Sequence, residues 1–150
     1  MRAGRGLYVR PIETRFGPRT PSVEVILNAL QAENGETITP SGAAAANTLG
    51  LSMQVPVRTV YLTSGPSRRL RLGAQTVELQ HAPRWQLALP GRPAGEVIRA
   101  LAWFGRERGA ELMSQLKRTL SAQTVQELSG ARGRVPTWMA EQISTLVAHV

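Results

Sequence analysis

The chain contains no cysteine and no aspartate. Without cysteine there are no disulfides, no zinc–thiolate sites and no thiol nucleophile. Without aspartate, metal-dependent nuclease and phosphotransfer chemistry loses its usual hard oxygen ligand. Histidine is almost as scarce, with only His81 and His149. His149 is the penultimate residue, where chains fray, and His81 ends a strand-like run beside Ala82-Pro83. Acid–base and triad chemistry need a partner that orients the imidazole, and the sequence suggests none. The reading is therefore of a non-enzyme, with no catalytic residue, metal or cofactor. Long apolar runs are missing too. No segment reaches the roughly 18 apolar residues of a membrane span, and the basic N-terminus lacks the apolar stretch of a signal peptide. These features fit a cytoplasmic protein with no membrane partner.

What remains is a basic chain of 150 residues, 42% hydrophobic, with a net charge of +8. Lys117 is the single lysine, so 17 of the 18 basic residues are arginine, and all ten acids are glutamate. Arginine bias by itself can reflect genome composition. The net charge predicts attraction to phosphate backbones or acidic partners, without specifying sequence.

Residues 1–10 read as a short strand, with Leu7 and Val9 alternating with Tyr8 and Arg10. Residues 11–21, with three prolines and a glycine, read as a connector. Thr20-Pro21 is a helix-opening pair. Val23, Ile26, Leu27 and Leu30 then form one apolar stripe closed by Asn34-Gly35. After a short extended segment at 37–39, Pro40-Ser41 opens a second helix through the four alanines Ala43–Ala46, to about Leu49, with Gly50 as a left-handed stop. Alanine favours the helix and lets a neighbouring element approach closely. Val57–Thr63, Arg68–Leu72 and Gln75–His81 alternate as three strands with tight turns, the pattern of an antiparallel meander. From residue 93 the periodicity is helical, with stripes at Val97, Ile98, Leu101, Phe104, then Leu112, Met113, Leu116, Leu120, and finally Met139, Ile143, Leu146, Val150. Ser121 caps a short helix between the last two. Trp85, Trp103 and Trp138 adjoin these stripes and read as core or interface anchors. The expected fold class is α+β: a small antiparallel sheet of three to four strands packed with helices, its C-terminal half mainly helical.

Two arginine patterns point to nucleic acid. In RRLRL, Leu70 and Leu72 face one side while Arg69 and Arg71 face the other. Such a face can follow a phosphate backbone, although a solvated outer sheet face also carries polar residues. Arg58 and Arg68 lie near the same block, their facing undetermined by the pattern. Arg5, Tyr8 and Arg10 sit on the glycine-flanked N-terminal strand, which would suit either a wing against DNA or an arginine-guarded edge. Gly91–Gly95 precedes a helix, and this stretch reads as a cap rather than an anion site.

The segments AGRGLYVRP, ITPSGAAAANTLGLSMQVP and VYLTSGPSRRLRLGAQTVELQHAP resemble the AbiEi-like antitoxins of type IV toxin–antitoxin systems. The likeness covers most of residues 3–148. It implies a bacterial transcriptional autorepressor that binds promoter DNA of its own operon through a winged helix-turn-helix. It also implies a C-terminal domain needed to counteract a nucleotidyltransferase-like toxin. In that family the residues matching Gly4–Arg10 form the last wing strand, and the helices that precede it there have no counterpart here. The resemblance thus divides the chain into a wing-strand remnant and linker, 1–19, and an antitoxin C-terminal domain, 20–150. The alternative is a general basic DNA- or RNA-binding module without antitoxin activity.

Overall fold

The computed structural model describes residues 22–52, 58–72 and 74–148. The expected strand at 1–10 and connector at 11–21, and with them Arg5, Tyr8 and Arg10, lie outside these residues. The described elements are α1 (Val23–Asn34), β1 (Ile38–Pro40), α2 (Gly42–Thr48), β2 (Thr59–Thr63), β3 (Arg68–Leu72), β4 (Gln75–His81), α3 (Pro93–Phe104), α4 (Arg106–Thr119), α5 (Ala122–Gly130) and α6 (Thr137–Ala148). The fold is α+β, with one four-stranded sheet and a helical C-terminal half. Among the described residues, no helix is long and apolar enough to cross a membrane. Two compact units are interleaved along the chain, residues 1–40 with 57–82, and residues 41–56 with 83–150.

In the first unit, α1 is capped by Ser22, whose hydroxyl accepts from the Val25 amide at 3.4 Å. The cap is thus two residues later than the Thr20-Pro21 pair suggests. A left-handed Gly35 ends the helix. The sheet order is β1-β2-β4-β3. β1 pairs antiparallel with β2 and β3 antiparallel with β4, but β2 and β4 run parallel. This corrects the meander: β2 and β3 are joined by a tight turn yet are not neighbours, and β4 lies between them. Alternation specifies which face of a strand is buried and leaves its neighbours open. β4 contributes two fully buried side chains, Val77 and Leu79, and occupies a central place. β3, with two solvent-facing arginines, takes an edge. Ile26, Leu27 and Leu30 of α1 cover the inner face, packing on Ile38, Leu70, Leu72, Val77 and Leu79. Each such side chain contributes about 1.5–3 kcal/mol on burial.

In the second unit, Ser41 caps α2 by accepting from the Ala44 amide at 3.2 Å. Gly50, at φ 75°, ends it. The Leu51 amide reaches back to the Ala46 carbonyl and the Gly50 amide to that of Asn47, the paired bonds of a Schellman stop. The alanines do what small side chains allow: Ala45 and Ala46 pack on Ala100 of α3. A second core joins Val97, Ile98 and Leu101 to Met113, Leu116, Val125, Leu128, Met139, Ile143 and Leu146, so the stripes of α3 to α6 close on one another. Trp85 and Trp138 pack at its margin. Trp103 departs from a core role, with 49% of its surface exposed. It stands edge-on to Phe104, over whose ring Arg108 also lies.

Candidate nucleic-acid interface

The two faces of the sheet sort the arginines by strand parity. On β3, Arg69 and Arg71 point away from α1 and are exposed, as the alternation predicts. Arg69 is the cross-strand partner of Glu78 on β4, and Arg71 that of Thr76. Arg58 enters β2 on the far side of Glu78. Glu78 Oε1 therefore receives Arg58 Nη1 at 3.1 Å and lies 3.7 Å from Arg69 Nε. The arginine side chains are 66% and 75% exposed, that of Glu78 only 15%. An open groove of about 320 Å³ runs over this face, lined by Arg58, Ser67, Arg69, Glu78 and Gln80 among others. Three of the expected nucleic-acid residues, Arg58, Arg69 and Arg71, thus share one side of one sheet.

Arg68 also borders the groove, but its guanidinium is engaged elsewhere. Residues 68, 70 and 72 have the same parity, so Arg68 turns inward with the leucines. Its Nη2 meets Glu36 Oε1 at 2.6 Å, and its Nη1 donates to the Pro66 carbonyl at 2.7 Å. Glu36 also accepts from Asn34 Nδ2 at 3.0 Å and, through Oε2, from the Thr63 hydroxyl at 2.6 Å. Burial opposes its charge, but the hydrogen bonds from Arg68, Thr63 and Asn34, with the Arg68 charge, outweigh this and hold the carboxyl below its ordinary value. The Thr63 oxygen in turn accepts from the Gly65 amide at 2.9 Å. A Cβ on Gly65 would lie 2.5 Å from Glu36 Oε2, so the close approach requires glycine.

The same turn is fastened from outside. The His81 amide donates to Ser67 Oγ at 2.8 Å, and His81 Nδ1 lies 2.9 Å from the Gly65 carbonyl. A carbonyl only accepts, so that ring nitrogen carries the proton. His81 is thereby part of the turn. The Ser64-Gly65-Pro66-Ser67 turn, with Glu36, therefore positions the start of β3 and aims Arg69 outward. Glu36 leaves no trace in the sequence pattern, because its arginine partner is 32 residues away.

A buried cation in the second unit is also invisible to periodicity. Arg99, in the apolar stripe of α3, is 2% exposed. Its Nη1 donates to the carbonyls of Gln86 and Ala88 at 3.2 and 3.0 Å. Burial pulls its pKa down, against the opposing pull of Glu96. The guanidinium crosses the helix at Gly95, where a Cβ would stand 2.8 Å from Nη2 and 2.6 Å from the Ala88 carbonyl. Arg99 serves as a tether for the 3-10 helix Arg84–Leu87 and the loop after it. The Gly91–Gly95 stretch opens α3 with Pro93 in its first turn and no side-chain cap. Arg92 pairs with Glu127 of α5. Among the described residues, no cluster of three or more His, Cys, Asp or Glu could hold a metal.

The model of the Family of unknown function (DUF6088) matches residues 1–128. This chain belongs to the DUF6088 family. The match spans the first unit of this DUF6088 chain and most of the second, including every residue of the arginine face and of the Glu36 network. No curated protein and no solved structure matches it.

Proposed function

We propose that this DUF6088 protein is the antitoxin of a type IV toxin–antitoxin system. In this reading it is a cytoplasmic, non-catalytic autorepressor that binds promoter DNA of its own operon and counteracts a nucleotidyltransferase-like toxin. The antitoxin part rests on the resemblance carried by Ile38–Pro56 and Val60–Pro83. The nucleic-acid part is carried by one observation: Arg58, Arg69 and Arg71 stand on the same side of a sheet, the first two lining an open groove, in a protein of charge +8. A surface dominated by one sign of charge concentrates polyanions.

Two experiments separate the parts. Co-expression with a nucleotidyltransferase-like toxin encoded beside it should restore growth to arrested cells, and failure of the full-length protein to do so would reject the antitoxin role. For binding, Arg69→Ala with Arg71→Ala should weaken affinity for duplex DNA. It should also flatten the dependence of log affinity on log salt by about 1.8, at roughly 0.9 for each phosphate no longer neutralised. Unchanged affinity and slope would remove this face from consideration. DNA binding that persists without toxin rescue would favour a general nucleic-acid-binding module.

A second reading of Arg69 and Arg71 has its own support. β3 is an edge of the sheet, and charged side chains on an edge oppose strand addition by a second molecule. The double alanine variant decides here too. Loss of solubility with unchanged DNA affinity belongs to the edge, and loss of affinity in a monomeric protein belongs to the groove.

A further inference from the structure

We propose that Glu78 is a built-in competitor for phosphate on the arginine face: its carboxylate occupies the anion position between Arg58 and Arg69, and a duplex backbone must displace it to bind. The inference rests on the nucleic-acid reading of that face and adds its regulation. One oxygen, Oε1, lies 3.1 Å from Arg58 Nη1 and 3.7 Å from Arg69 Nε. Strand order dictates the convergence. Glu78 sits on β4, between the strand that Arg58 enters and the strand that carries Arg69. The carboxylate is held within the sheet surface while both cations are mainly exposed. An anion arriving from solvent therefore meets the arginines first.

Magnitudes favour exchange. Ion pairs with one partner this exposed contribute little to stability, so surrendering them costs little. A phosphodiester oxygen offers arginine a charge-assisted acceptor of the same geometry. A row of phosphates also releases counterions, which a lone carboxylate does not. Glu78 thus sets a threshold. A single small anion gains too little to displace it, whereas a polyanion engaging Arg58, Arg69 and Arg71 together can do so. The groove floor, with Glu78 beside Gln80 and Ser67, gives the displaced carboxylate polar surroundings.

The test uses the full chain, a short mixed-sequence DNA duplex, and Glu78→Gln, which keeps the shape and removes the charge. Glu33→Gln serves as the control. Glu33 is exposed on α1, the helix that covers the opposite face of the sheet, so it changes net charge equally without touching the groove. Glu78→Gln should bind about tenfold tighter than wild type, the scale of two exposed ion pairs relieved. Glu33→Gln should shift affinity far less. Glu78→Ala repeats the comparison if the amide forms new bonds to the arginines, and thermal melting checks that both variants fold. If Glu78→Gln and Glu78→Ala gain no more than Glu33→Gln, while Arg69→Ala with Arg71→Ala still weakens binding, the competitor role is overturned and the binding face stands. If the double arginine variant changes nothing, both fall together.

Discussion

Replacing Gly42 by alanine should cost about 3 kcal/mol, the upper range for forcing extra volume into a packed site. The direction is the reverse of what helix propensity predicts. Gly42 begins α2, and alanine inside a helix is ordinarily preferred to glycine by roughly 0.5–1 kcal/mol. Here the added Cβ would lie 2.5 Å from the Arg99 carbonyl and 2.6 Å from Trp103 Cβ. The carbonyl belongs to α3 and cannot rotate away, so one helix must move. Moving it opens the packing of Ala45 and Ala46 on Ala100, which is close because all three side chains are small. Gly130→Ala is the matched control. That glycine is the last residue of α5, and a Cβ there meets nothing within 4 Å. It should leave stability unchanged or raise it by at most about 1 kcal/mol. Urea unfolding followed by circular dichroism measures both. Equal effects at the two glycines would mean that α2 and α3 are not tightly packed.

Glu36→Gln should destabilise the first unit by about 3 kcal/mol, because it leaves Arg68 charged and largely buried without its carboxylate. The effect has a pH signature. The folded carboxyl titrates below its unfolded value, so its contribution is complete above the ordinary glutamate value of roughly 4.3 and disappears as pH falls through the folded value. Wild type should therefore lose stability on the acid side of about pH 4.3, and Glu36→Gln should lose less over the same interval. Adding Arg68→Met to Glu36→Gln should recover part of the loss, since an apolar chain of similar length has no charge to strand. If the double variant is no more stable than Glu36→Gln, an uncompensated cation is not the cause.

Much of this architecture is legible along the chain, for identifiable reasons. The stripe of α1, the strand at Arg68–Leu72 and the stop at Gly50 depend on spacings of a few residues, and each stands at or near the place its pattern gives. The N-cap is Ser22 rather than Thr20, and the pattern does not choose between them because hydroxyl residues two apart offer the backbone equivalent acceptors. The sheet order is not legible. A Ser-Gly-Pro-Ser turn between two alternating runs reads as a hairpin, but what holds it is Glu36, a residue from before β1. The arginines divide the same way. Alternation alone turns Arg69 and Arg71 outward, and the same parity places Arg68 inward beside Leu70. The partner waiting there cannot be seen in the pattern. Arg99 hides more completely, since its neighbours form an apolar stripe, and only Gly95 four residues earlier marks the path of its side chain.

The interleaving of the two units bears on how the protein can be taken apart. The chain leaves the sheet unit after Pro40, supplies α2 to the helical unit, returns for β2 to β4, and then departs for the remaining helices. No single cut yields two complete pieces. A fragment beginning at Pro83 keeps α3 to α6 but exposes Ala100, whose alanine partners stay behind. Cleavage between β1 and β2 parts antiparallel neighbours at Ile38 and Thr63. Functional dissection by truncation would confound a missing activity with a missing segment of core. Assigning the proposed toxin neutralisation or DNA binding to one unit therefore calls for point substitutions in the intact chain, since even a circular permutant keeps the four segments alternating.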